Sequence, residues 1–147
     1  MSQSSKILGY VKRWFSYLMD DYGFTMQDKW TTDGYLEFEK DLTAIRVEKY
    51  WDGILLVYIG LRDAADQSHF MRKHDLNDIV WYQLYQQGRP YESLQRIYSY
   101  HETVMEQDIA RLAQLLKHFG TPFLKGDYSM ETGLVDFEHR LMDDEIT

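Results

Sequence analysis

Apolar side chains in the first 22 residues recur at helical spacing. Ile7, Val11, Trp14, Phe15, Leu18 and Tyr22 share one face, while Lys12, Arg13, Asp20 and Asp21 fall off it. The pattern predicts a helix over 5–22, capped by Ser4 or Ser5 and stopped at Gly23. The period then changes to two. Phe24, Met26 and Trp30 alternate with polar residues, Leu36 and Phe38 alternate with Glu37 and Glu39, and Ile45 and Val47 alternate with Arg46 and Glu48. Asp33-Gly34, Lys40-Asp41 and Asp52-Gly53 punctuate these runs as turns. The stretch Ile54 to Leu61 is nearly all apolar, which suits a strand in the middle of a sheet.

Residues 62–75 are polar and read as a loop interrupted by Phe70-Met71. Residues 75–87 return to helical spacing, with Asp75 as cap and Leu76, Ile79, Val80 and Leu84 inward; Gly88-Arg89-Pro90 ends them. Residues 91–99 carry no clear period. From 101 to 119, Met105, Ile109, Leu112, Leu116 and Phe119 mark a helix closed by Gly120 and Pro122. Residues 133–142 predict a short final helix with Leu134, Phe137 and Leu141 inward. The fold class expected is α+β: a four-stranded antiparallel meander with an N-terminal helix and two or three C-terminal helices. Its Glu37, Glu39, Arg46, Glu48 and Lys49 are expected on a solvated face, and 147 residues suit a single domain.

Composition narrows the chemistry. The chain has no cysteine, so thiol nucleophiles, disulfides and thiolate metal sites are excluded. The longest apolar run, Ile54 to Ile59, is far short of a membrane span, and no leader peptide is legible at the start; the expected location is the cytoplasm. Net charge is −8, and it is unevenly spread: residues 127–147 hold seven acids against Arg140 alone. That acidic bias argues against direct nucleic-acid binding and suits either a basic protein partner or a solvated end.

Catalytic motifs are wanting. His69, His74, His101, His118 and His139 include no pair at helical ligand spacing, and surface positions are expected for them; His74-Asp75 alone makes a poor metal signal. No serine sits in a nucleophile elbow and no glycine-rich phosphate loop is present. Glu37 and Glu39 read as a cross-strand charge ladder with Arg46 and Glu48. Neither a metal nor a cofactor is expected. The aromatic cluster Trp81, Tyr82, Tyr85, Tyr91, Tyr98 and Tyr100 cannot all face the core of its helix. It builds either a second small core or an interface. The acids of 63–78 are either a solvated loop or part of the same interface.

The helix ending in DDYGF, the meander carrying GYLEFE and TAIRVEKYWDGILLVYIG, and the helices that follow together resemble small bacterial immunity proteins. The likeness is nearest to those paired with LXG-type toxins of Gram-positive bacteria, whose C-terminal domains are often nucleases. It covers about residues 7–119 and rests on element order and size. The chain departs from the large immunity class marked by Asn-Gly-Gly after an early helix, and no functional residue is carried over. The resemblance implies a plug that binds a basic protein toxin domain and occludes it. The contacts this reading names are Asp63, Asp66, Asp75 and Asp78, then Tyr82, Tyr85 and Tyr91, then Asp127, Glu131, Asp143, Asp144 and Glu145. The competing expectations are a small-molecule binding domain with a pocket lined by Trp30, Trp51 or Tyr58, and an enzyme of unrecognised type. Oligomeric state stays open.

Overall fold

A computed structural model describes residues 3–50, 54–66, 70–88, 97–98 and 102–143. Along the chain these form α1 (Gln3–Trp14), α2 (Tyr17–Asp20), β1 (Thr25–Lys29), α3 (Trp30–Asp33), β2 (Tyr35–Lys40), β3 (Thr43–Lys49), β4 (Ile54–Arg62), β5 (Phe70–Asp75), α4 (Leu76–Gln86), β6 (Ile97–Tyr98), α5 (Glu102–Phe119), α6 (Thr121–Leu124) and α7 (Glu131–Met142). The class is α+β, as the pattern predicts.

The sheet is larger than the expected four strands. Five antiparallel strands run in the order β1-β2-β3-β4-β5, and the short β6 also pairs with β4. The added strand, β5, occupies what reads as a polar loop. Its inward residue is His74, which stands in register with Ile59, Ile45 and Phe38 across the sheet. A strand whose core-facing position is a histidine shows no apolar alternation, so its sequence looks like a loop. Gly60 lets β5 approach β4, because a Cβ there would lie 1.9 Å from the Arg72 carbonyl oxygen.

Two further boundaries shift. The expected helix over 5–22 breaks after Trp14, where the Ser16 hydroxyl donates to the Arg13 carbonyl (2.9 Å) and α2 restarts at Tyr17. The apolar face survives the break: Ile7, Val11, Phe15 and Leu18 are all buried. Trp30 leaves the β1 strand for the α3 turn. The Asp28 carboxylate accepts from the Trp30 backbone N–H (3.0 Å), and the indole, buried, donates to the Ser4 hydroxyl (2.9 Å). The β1–β2 connection is therefore a helical turn closed by Gly34 in the left-handed region, rather than a two-residue hairpin. The Asp52-Gly53 turn lies outside the described residues.

Buried side chains from α1, α2, α4, α5, α6 and α7 form one cluster with Leu36, Phe38, Ile45, Val47, Val57 and Ile59 on one side of the sheet. Among the described residues the opposite side carries no such cluster, yet it is not simply solvated. Glu37 is only 2% exposed. It accepts from Arg46 (2.6 Å) and pairs with Arg62, which also meets Glu39 at 3.3 Å. The Arg46 guanidinium lies between the rings of Tyr35 (4.3 Å) and Phe70 (4.7 Å). The expected charge ladder exists, but its members are mostly shielded from water, and Lys49, expected beside them, instead lies on the helix side, its Nζ 2.6 Å from Ser4 Oγ and over the Trp30 ring.

Candidate functional site

Strand β5 hands the chain to α4 at Asp75, whose carboxylate accepts from the Asn77 backbone N–H (2.9 Å) and caps the helix. Burial of Leu76, Ile79, Val80 and Leu84 fixes the rotation of α4. Asp78, Trp81 and Tyr85, spaced three and four apart, then occupy the flank towards α7. Helix α7 turns Leu134 and Phe137 inward. Tyr82 and Tyr85 each place their rings 5.5 Å from Phe137. Gly133 permits this closeness, since a Cβ there would sit 2.0 Å from the Tyr82 hydroxyl. The Tyr82 hydroxyl accepts from Gln86 Nε2 (2.9 Å).

Between the two helices runs a groove of about 500 Å³ lined by Asp78, Trp81, Glu138, Leu141 and Met142. Met142 is 82% exposed and Tyr85, one turn along α4 from Trp81, is 43% exposed. The only other large apolar side chain so exposed among the described residues is Tyr50, on the helix-free side of the sheet. Exposed apolar surface and carboxylates thus coincide between α4 and α7.

Glu138 belongs to a second arrangement behind the groove. His74 is 3% exposed, with Nδ1 2.8 Å from Glu138 Oε1 and Nε2 3.3 Å from Glu131 Oε2. Glu131 is equally buried and also pairs with Arg72. Phe123 of α6 stacks on the imidazole at 6.3 Å. Burial opposes charge on His74, but hydrogen bonds to Glu138 and Glu131, and the fields of those carboxylates, overcome it and raise its pKa above the ordinary value. A carboxylate stands at each ring nitrogen, so the surroundings favour the charged imidazolium, the form that can donate to both. Nearby, the Tyr128 hydroxyl donates to Thr43 Oγ1 (2.7 Å), and burial pushes its pKa up to about 12.

The residues named from sequence therefore separate. Asp78 lines the α4–α7 groove, Tyr85 stands one turn along α4 from Trp81 against Phe137, and Asp143 follows Met142 as the residue that ends α7. Asp75 serves as a helix cap and Tyr82 as packing. Glu131, expected at a contact surface, is inside. Asp63 accepts from the Ala65 N–H (2.8 Å) and Asp66 is exposed, both in the turn that leaves β4. Asp127 lies beside Tyr128, and the Ser129 backbone and side chain hold its carboxyl below the usual range. Asp63 and Asp66 lie off the far end of β5 from α4, about 17 Å of strand away. Tyr91, Asp144 and Glu145 lie outside the described residues. The pocket imagined around Trp30 and Tyr58 does not form from those two. Trp30 is in the core cluster, whereas Tyr58 stacks against Lys73 (4.0 Å) on the helix-free side. Trp51 lies outside the described residues.

His74, expected on the surface, is instead buried in one cluster with Arg72, Glu131 and Glu138. One signal was available. Glu131 and Glu138 are seven apart and share the inward stripe with Leu134, so two acids interrupt an apolar face that needs a buried cation. Among the described residues, no group of three His, Asp or Glu side chains is arranged to hold a metal ion, and no helix is long and apolar enough to cross a membrane. Comparison with protein-family models, with curated proteins and with solved structures returns no match.

Proposed function

We propose that this chain is a protein-binding module that neutralises a basic partner in the manner of an immunity protein. What supports the reading is the groove between α4 and α7, where exposed Met142 meets Trp81, Asp78 and Glu138, with exposed Tyr85 one turn along α4. Aromatic and methionine side chains bury large areas at low entropic cost, and surrounding acids speed encounter with a positively charged protein. A module of this type acts by occupying its partner's surface and performs no chemistry of its own. The test is capture of partners by the tagged chain from its native cell extract at low and then high salt, followed by assay of the eluted protein. A basic protein that elutes with salt, and whose enzymatic activity one equivalent of the chain suppresses, supports the reading. A captured protein whose activity is untouched, or no salt-sensitive capture, overturns it.

A further inference from the structure

We propose that the α4–α7 groove takes a single cationic side chain, arginine in preference to lysine, projected by the partner from between apolar neighbours; this rests on the reading of a basic partner above. The groove offers Trp81 as an aromatic wall, carboxylates from both helices in Asp78 and Glu138, and Leu141 and Met142 as apolar surface. The chemical complement of an indole with two carboxylates is a planar cation: guanidinium stacks on the ring and can reach both acids. A volume near 500 Å³ exceeds one side chain, so the apolar neighbours of the cation enter too, against Leu141 and Met142.

The same combination is already used within the chain. Arg13 lies over the Trp14 ring at 5.3 Å and pairs with Glu106 at 3.1 Å, across α1 and α5. Arg46 sits between two rings with Glu37 at 2.6 Å. Glu138 is also pre-positioned, since His74 holds its Oε1 at 2.8 Å. A carboxylate has acceptor capacity for more than one donor, so this anchoring leaves it able to receive the ligand. Ordering Glu138 in advance lowers the entropic cost of binding.

The test is an NMR titration of the full-length, isotope-labelled chain with N-acetyl-arginine amide, and with the corresponding blocked norleucine as the uncharged apolar control. Blocked arginine shifts the Trp81 indole N–H and the amides of Asp78, Glu138 and Met142 saturably, at about millimolar concentration, and binds at least several-fold tighter than blocked norleucine. Trp81→Phe assigns the indole signal. Asp78→Asn weakens the binding about threefold without touching the His74 contacts; Glu138→Gln weakens it as well, but also alters the carboxyl that His74 Nδ1 meets, so Asp78→Asn is the deciding variant. Equal binding of norleucine, shifts spread over acids elsewhere, or no saturation overturns the proposal. Saturable arginine binding without any neutralised partner would leave the groove and remove the immunity reading. A neutralised partner whose affinity is indifferent to Asp78→Asn and Met142→Ala would do the reverse.

Discussion

The α1 flank and the α7 flank are attached to the sheet by different forces. On the α1 flank, Phe15 stacks on Phe38 at 6.4 Å inside a cluster with Val11, Leu18, Leu36 and Ile45, all fully buried. On the α7 flank, His74 and Arg72 of β5 grip Glu131 and Glu138, and the apolar contribution is Leu134 with Phe137 under Tyr82. Apolar contact is non-directional and indifferent to protonation, whereas a buried charge clamp fixes one geometry and is costly when a member is removed. The α7 flank carries the proposed binding groove. Its helix is therefore the one whose position depends on directed bonds.

This contrast can be broken by substitution. Phe38→Ala should be the most damaging change, at about 3–5 kcal/mol in chemical denaturation, with little dependence on pH between neutral and alkaline conditions. Glu131→Ala should cost about 3 kcal/mol, because it leaves the buried His74 and the more exposed Arg72 short of a partner. Its damage should be local. Hydrogen exchange should quicken in α7 while α5 keeps its protection. Equal loosening of both helices would show that the clamp is not what docks α7.

Gly133→Ala should cost about 1–2 kcal/mol through collision with the Tyr82 hydroxyl, and adding Tyr82→Phe should recover part of the loss. A Gly133→Ala protein as stable as the parent would mean that α4 and α7 are not held this close in solution. The smallest effect should be that of pH. His74 has a raised pKa in the folded chain, so its stabilising charge is fully present below the ordinary histidine value and is lost as pH rises through the folded value. The melting temperature should therefore fall from neutral towards alkaline pH, and His74→Gln should flatten that slope. A parallel slope in the variant would place the proton elsewhere.

Legibility differed between the flanks for the same reason. The inward set of α4 (Leu76, Ile79, Val80, Leu84) is legible in the sequence and buried; of that of α5, Ile109, Leu112 and Leu116 are buried, Phe119 is half-buried, and the Met105 side chain lies outside the described residues. Asp75 as cap was equally plain, being a local bond to the second residue on. β5 could not be read, because its core-facing His74 draws its partners from 57 and 64 residues away. The groove is legible only in part: the sequence points to Asp78 and leaves Trp81 between core and interface, whereas nothing local marks Glu138, Leu141 and Met142 as sharing a surface with them.

The sequence by itself determined the α+β class, the identity and inward faces of the main helices, the turns at Gly34 and Asp41, and the acidic bias of residues 127–147. Burial on one side imprints a period on the chain, and turns demand particular residues nearby, so both are local properties. Only the tertiary structure decided that β5 is a strand, that Glu131 is inside while Glu138 is shared with a groove, and that Glu37 is shielded on a face without helices. A charged side chain can be buried or solvated with the same local sequence. What selects between them is the presence of an opposite charge brought near by distant segments, because burying it unpaired costs several kcal/mol.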